Sequence, residues 1–543
     1  MREQVLDHEE IEWQLEAVDL ALVDNWLKEH PSGAGVTIVP EPARELRDVY
    51  YDTEDWRLYR AGYALRVRRD NESAEATMKA LMPSEGGIRR RREISEPLKG
   101  VQTPKGIPGP VGERVRRVAG TADLRPLFEV STRRRTFALC SETPSSGEIV
   151  EDTSGNIRPQ NSEQDAIVLA EVALDESEIF ANGGDSTHLS RVEVEVGSDA
   201  AIHDGVRDFV EVLKEALKLR PTRTSKFRTG LSVAGLSPEV ALDLGPTEID
   251  ATLSCGGVAF AILRRHFGQM LAHEPGVRLG EDPEELHDMR VATRRLRAAL
   301  KLYSDFLPKR AERYERDLRW VAGALGEVRD LDVHLEGLSE EASRNGEVLE
   351  EVVSLLRERR NEARRGMLEA LDSNRYERLI ASFSATLRRG RSPTPTSPIL
   401  EVAPNLIRDR YKKVRKSANR LSEDSPPEHY HDLRKKGKRL RYALEPLQEI
   451  YGKQAQKMVK LLKKIQDDLG DHQDFIVASG LMEELGVAGD RPPQVIFSMG
   501  SMAEGYGREA STIRMGFLGS KSLRSLKEGK EWRKLRKKME KQA

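Results

Sequence analysis

The stretch HDMRVATRRLRAAL, which starts at His287, returns as HDLRKKGKRLRYAL at His431, 144 residues later. LGEVRDLD from Leu325 returns at the same offset as LGDHQDFI from Leu469, and Phe267 corresponds to Tyr411. An equal offset over this span, with no insertion, points to duplication of one helical unit. Each unit has room for about four helices, so two four-helix bundles side by side are the expected geometry.

The spacing inside the repeated stretch is informative. His287, Arg290, Arg294 and Arg297 are separated by steps of 3, 4 and 3, and so are His431, Arg434, Lys438 and Arg441. Those steps place all four on one face of an α-helix, a row of cations about 5 Å apart. Arg295 and Arg439 flank the rows, while Leu296 and Leu440 lie off them. Like charges at i,i+4 repel, so such a row is either solvated, paired with acids of the same unit (Asp330, Asp332, Asp467 and Asp474), or built to meet an anion. Two copies in one register favour the anion. Reading nucleic-acid bases needs edge contacts or stacking. Aromatics make up only 5% of the chain, and none lies in the first row, although Tyr442 is beside the second. A phosphate polymer with no bases therefore fits better than a specific nucleic acid.

Residues 1 to about 230 have a different period. EIEWQLEA, ALRVRRD, AEATMKAL, RRREISEPL, EVSTRRRTFAL, IVLAEVALDESEI and SRVEVEVG alternate and read as strands. Arg66 and Arg68 share one strand face, as do Glu10 with Glu12 and Glu193 with Glu195. If the sheet closes into a barrel, the charged face lines its inside. Helical stretches interrupt it at about 16–30 and 200–219. The expected organisation is an α+β multidomain chain: residues 1–232, a linker at 233–250, a helical domain at 251–520 with repeats at about 251–388 and 404–520, and a basic tail at 521–543. The tail reads as a frayed or solvated helix. A Pro/Ser-rich segment, Arg389–Pro404, separates the repeats.

Charged residues make up 33% of the chain, yet the net charge is −2, so basic and acidic stretches are segregated. Two cysteines, Cys140 and Cys255, exclude a disulfide framework and a cysteine-rich zinc site. The acidic N-terminus lacks the apolar core of a secretory signal, and the apolar run Gly256–Leu263 is too short to span a bilayer. A reducing, cytoplasmic setting without membrane attachment is expected.

The helical half resembles a CHAD domain, whose pattern is His-x-x-Arg-x-x-x-Arg-x-x-Arg followed by Leu-Gly-x-x-Arg-Asp-x-Asp in two repeats. That resemblance implies binding of inorganic polyphosphate and association with polyphosphate granules. The N-terminal half resembles a CYTH domain of the triphosphate tunnel metalloenzyme superfamily. The stretches that carry it are EEIEWQ, YYDTEDWRLYRAGYALRVRR, ATMKA, RREISEPL, EVALDE, RVEVEV and TSKFR. It implies an eight-stranded antiparallel barrel forming a tunnel. Carried over residue by residue, Arg66, Arg68, Lys79, Arg91, Arg133, Arg135 and Lys226 would hold phosphate. The register within Arg89–Arg92 and Arg133–Arg135 is open by one residue. Glu10, Glu12, Glu193 and Glu195 would be the catalytic, metal-binding side for Mg²⁺ or Mn²⁺, with Glu171 and Asp175 as further acids. The family opens on Glu-x-Glu-x-Lys, whereas this chain reads Glu10-Ile-Glu12-Trp-Gln14. Two readings follow: a metal-dependent triphosphatase joined to a polyphosphate-binding module, or a binding protein whose tunnel has lost turnover with that lysine.

Overall fold

The computed structural model describes residues 6–33, 35–70, 73–81, 88–98, 104–141, 150–151, 157–158, 167–181, 186–196, 204–222, 224–238, 243–345, 347–390, 397–487 and 492–543. The chain divides into two compact units, Met1–Val240 and Ala241–Ala543. The division falls inside the expected linker, of which 239–242 lie outside the described residues; so do 391–396 of the Pro/Ser-rich segment.

Eight antiparallel strands close the first unit into a barrel. They are β1 (Leu6–Glu16), β2 (Arg44–Thr53), β3 (Tyr63–Arg69), β4 (Ala74–Ala80), β5 (Ile88–Pro97), β6 (Leu124–Ser141), β7 (Val168–Phe180) and β8 (Ser186–Val196). Their order around the barrel is β7-β8-β1-β5-β4-β3-β2-β6, and β6 pairs with β7 to complete the ring. β2 is the strand that alternation does not reveal. Glu45 and Arg47 are exposed on one face while Asp48 is buried on the other, so charge appears at both parities.

Apolar residues on the outer face explain why the inside can be charged. Trp13, Leu15, Phe137, Leu139, Val172, Leu174, Val192 and Val194 point outward and are buried under α1 (Leu20–Glu29) and α2 (Asp204–Leu217), against Val23, Leu27, Phe209 and Leu213. Asp19 caps α1 by accepting from the Ala21 amide at 2.8 Å. The opposite strand parity faces the barrel axis. A short helix, α3 (Lys226–Val233), starts at the cap residue Ser225. It approaches β6 closely at Gly230, where a Cβ would collide with the Phe128 ring. That contact delivers Lys226 to the barrel interior.

The second unit is helical: α4 (Cys255–Leu279), α5 (Pro283–Leu302), α6 (Ala311–Asn345), α7 (Glu347–Leu371), α8 (Asn374–Arg389), α9 (Ile399–Arg420), α10 (Pro427–Leu444), α11 (Lys453–Val487), α12 (Pro493–Leu518), α13 (Lys521–Glu528) and α14 (Lys530–Gln542). The starts of α4 and α5 recur in α9 and α10 at the repeat offset of 144. The expected pair of separate four-helix bundles is not what forms. Among the described residues the first repeat has five helices, α4 to α8, and buried residues from both repeats, Phe267 and Leu296 with Tyr411 and Leu440 among them, belong to one continuous core.

The C-terminal tail also departs from expectation. Leu523, Leu526, Trp532, Leu535 and Met539 are buried in that core, and Trp532 stacks on Tyr411 with ring centroids 4.4 Å apart. The tail's lysines and arginines cover an amphipathic pattern whose apolar stripe seals the second repeat. Leu244 and Ile249 of the expected linker are buried there too. Among the described residues no helix is long and apolar enough to cross a membrane.

The tail's packing is testable. Trp532→Ala removes a side chain that is 8% exposed, and should destabilise the helical unit by about 3–5 kcal/mol in a denaturant titration. A change near zero would restore the solvated tail.

Candidate functional site

The inner wall of the barrel carries acids and bases in contact, around a cavity of about 210 Å³. Arg68 makes a fork-like pair with Asp48, both bonds at 2.8 Å, and Arg66 lies 3.7 Å from the same carboxylate. Lys79 donates to Glu10 at 2.8 Å and also pairs with Glu93. Arg91 donates to Glu10 at 2.7 Å and also to Glu12. Arg134 donates twice to Asp175 at 2.7 Å and to Glu193 at 2.9 Å. Lys226 pairs with Asp175 and lies 3.1 Å from Glu193.

The electrostatics follow from this mixture. Burial alone would raise the carboxyl of Glu10, but Lys79 and Arg91 beside it hold it well below the usual range. Burial drives the Glu12 carboxyl up, with Glu10 and Glu193 adding and Arg91 opposing. The Glu195 carboxyl is pushed up to about 7 by burial, against the pull of Lys79 and with help from Glu10, Glu93 and Glu12. Burial lowers Arg89 and Arg191, opposed by Glu12 for Arg89 and by Glu193 and Glu16 for Arg191.

Most of the residues expected in the tunnel are there: Glu10, Glu12, Glu193, Glu195, Arg66, Arg68, Lys79, Arg91 and Lys226 line one cavity. Arg133 and Arg135 are not. Arg133 has a 66% exposed side chain and faces Glu45 outside the barrel, and Arg135 pairs at 2.9 Å with Asp24 of α1. Arg134 takes the inner position. Phe137 and Leu139 have the parity of Arg133 and Arg135 and are packed under the helices, and that parity was the available signal for the register. Asp175 is buried between Arg134 and Lys226, while Glu171 is half-exposed, 3.8 Å from Arg134. Asp48, Glu93, Arg89 and Arg191 escaped the sequence reading.

Gln14 occupies the position next to Glu12 along the wall and opposite Glu193 across it. Its amide donates to Glu12 at 2.9 Å and to Glu193 at 3.3 Å, so it bridges two carboxylates on neighbouring strands. Among the described residues no three acidic, His or Cys side chains are gathered closely enough to hold a metal as they stand. The donor set nevertheless suits a hard divalent cation: oxygen ligands only, with Glu12 and Glu195 raised because cations do not fully offset their burial.

In the helical unit, the two motifs of each repeat meet. Arg290 of α5 pairs with Asp330 of α6 at 2.8 Å, and its guanidinium lies over Gly326. The equivalent Arg434 lies over Gly470 and pulls against the burial that raises Asp474. The Leu-Gly motif thus opens the helix surface for an arginine and supplies an acid one turn later. Other members of the rows are also tied: Arg297 to Glu315 at 3.3 Å, Arg295 to Glu445 at 3.2 Å and Arg441 to Glu445 at 3.4 Å. Glu445 therefore links both row helices. His287 is exposed, His431 half-buried and Arg439 exposed. Arg294 and Arg441 lie over the Tyr442 ring, 5.8 and 5.1 Å from its centroid. Lys438, among Arg434, Arg294 and Arg441, is pushed down to about 7, by burial first and then by these three like charges. Internal pairing therefore accounts for part of each row and leaves a cationic centre around Arg294 and Lys438.

Comparison with known proteins agrees with this geometry. The family model of the CYTH domain matches residues 22–228, and that of the CHAD domain matches 261–483. The chain is similar to an uncharacterized protein of Mycobacterium tuberculosis, 26% identical over 497 residues that make up 88% of each chain. The crystal structure of the CHAD domain from the plant Ricinus communis is 27% identical, covering 51% of this chain and 97% of that one, with a TM-score of 0.44. A Hippeastrum protein described as an adenylyl cyclase with a dominant triphosphatase activity is 15% identical, covering 42% of this chain and 97% of that one, with a TM-score of 0.26. The chain carries a CYTH domain followed by a CHAD domain.

Proposed function

We propose that the barrel binds a triphosphate and hydrolyses it with a divalent metal, Mg²⁺ or Mn²⁺, and that the helical unit holds inorganic polyphosphate. The observation that carries this reading is the inner wall itself, where six cations around one cavity are each held by an acid. A triphosphate offers oxygens that can replace those carboxylates on Arg66, Arg68, Lys79, Arg91, Arg134 and Lys226. Glu10, Glu12 and Glu193, once released by the cations, would hold the metal together with Glu195, and the metal would supply Lewis-acid activation of a water. A divalent metal would offset part of the negative charge that a triphosphate brings to the wall. The water oxygen bonds to the terminal phosphorus as the bond to the leaving diphosphate oxygen breaks. The cations hold the charge that gathers on the leaving group. Gln14 orients Glu12 and Glu193 through its amide. The second reading, a holder without turnover, is favoured by the neutrality of Gln14 alone.

Phosphate release from tripolyphosphate should require Mg²⁺ or Mn²⁺, stop on chelation, and fall about 10²- to 10³-fold in Glu193→Gln. Wild-type release no faster than that of Glu193→Gln, with binding intact, leaves only the holder, and Gln14→Lys then asks whether one cation restores turnover. Arg134→Ala should weaken tripolyphosphate binding about tenfold or more, whereas Arg133→Ala should leave it within about twofold. Equal losses would return the register to Arg133.

The helical unit has its own signature. An anion on Lys438 stabilises the ammonium, so binding takes up a proton wherever the free side chain is neutral. Because the free group titrates near 7, polyphosphate affinity should fall as pH rises from 6 to about 8.5. Lys438→Arg should flatten that profile, and an unchanged slope in the variant would remove Lys438 from the binding surface.

A further inference from the structure

Two arginines on the inner wall stand apart from the ion pairs described above. Arg191 on β8 is 2% exposed and Arg89 on β5 is 8% exposed. Neither has a carboxylate within ion-pair distance among the described residues, although every other interior cation does. Arg191 donates only to the Thr229 hydroxyl at 3.5 Å, and its Nε and Nη1 are buried without a partner. Arg89 donates to the Thr222 hydroxyl at 3.4 Å. Both contacts are at the long limit for a hydrogen bond.

Their placement is specific. Of the eight barrel strands, β5 and β8 flank β1, and the two-residue strand Arg220–Pro221 also pairs with it at Leu15 and Glu16. Arg89 is opposite Glu12 on one side; on the other, Arg191 lies between Glu16 of β1 and Asp175 of β7, whose carboxylate is held by Arg134 and Lys226. Gln14 lies between those positions on β1, opposite Glu193. The Thr222 hydroxyl touches Arg89 and also reaches the Gln14 carbonyl oxygen at 3.5 Å, which joins the arginines to the cavity wall at Glu12, Gln14 and Glu193. Glu16 does not neutralise Arg191: it is exposed, with no ion pair closed between them. Thus the stretch of wall that has a neutral amide on β1 has an unpaired, buried guanidinium on each adjacent strand.

Burying a guanidinium without a closed ion pair is unfavourable, and two on one stretch of wall are more so. Such a pair persists where an anion completes it. We propose that Arg89 and Arg191 form a terminal-phosphoryl subsite at the Gln14 end of the tunnel, taking an unesterified phosphate end with two ionisable oxygens. They supply there the positive charge that Gln14 does not. This rests on the reading of the barrel as a triphosphate site, and it adds Arg89, one inward-facing position beyond Arg91 on β5, and Arg191, which shares the cross-strand row of Asp175 and Arg134. The same chemistry is offered by free condensed phosphate and by the γ-end of a nucleoside triphosphate.

The test uses the full chain in chelator-treated buffer at fixed ionic strength, with calorimetric titration of tripolyphosphate and of adenosine triphosphate. Arg191→Gln and Arg89→Gln should each weaken tripolyphosphate binding about tenfold, and Arg191→Lys should recover most of the loss. The thermal midpoint of ligand-free Arg191→Gln should not fall below wild type, because the substitution removes a buried charge that closes no ion pair. A parallel loss for adenosine triphosphate identifies the γ-end as the occupant, and loss for tripolyphosphate alone identifies the free chain; either supports the subsite. Wild-type affinity in both glutamine variants overturns it and leaves the triphosphate site standing. So does a steep fall in thermal midpoint for Arg191→Gln with unaltered affinity in Arg89→Gln, which makes Arg191 structural. Wild type that binds neither ligand removes the triphosphate reading itself.

Discussion

Charge neutralisation inside a closed wall governs the barrel. A cation or carboxylate buried without a partner is unfavourable by several kcal/mol, and partners on neighbouring strands are within reach only if the register is held. The interior therefore crosslinks the strands: Arg91 ties β5 to β1, Arg134 ties β6 to β7 and β8, and Arg68 ties β3 to β2. The outer apolar face supplies the burial energy that this polar interior cannot. Charge pairing and apolar burial thus divide between the two parities of the same strands.

That division explains what could be read from the chain. Alternation exposed seven strands and the acidic and basic pairs, because an apolar outer parity and a charged inner parity is a strong period-two signal. It failed where both parities are charged, as in β2, and at Arg133–Arg135, where three consecutive arginines hide the phase. Arg191 was missed because a lone arginine beside Glu193 gives no hint that Glu16 on the facing strand is turned to solvent. Pairings such as Arg134 with Asp175, 41 residues apart, depend on barrel closure and have no local trace.

In the helical unit the repeat was legible because duplication preserves register. What it did not convey was how the copies combine. Two amphipathic units with wide apolar faces bury more surface against one another than each could alone, so one core replaces two. The tail misled by composition: ten lysines and arginines from Lys521 to Ala543 suggest solvation, while the apolar stripe among them anchors the helices. The row cations proved to be a mixture. Arg290 is held by Asp330, whereas Arg294 and Lys438 face like charge across the two copies.

The order of strands around the ring has a consequence for biosynthesis. β1 precedes the other barrel strands in the chain, yet the barrel strands that flank it are β5 and β8, and the latter ends at Val196. On the ribosome, β1 cannot be locked between both partners until nearly two hundred residues have emerged, so closure is a late, non-local event. Through that interval an apolar edge would be a hazard. The row Asp7, Glu9, Glu10, Glu12 and Glu16 keeps the waiting strand hydrated and repels a second copy of itself. The carboxylates that later line the barrel interior first serve as the nascent chain's protection against mispairing.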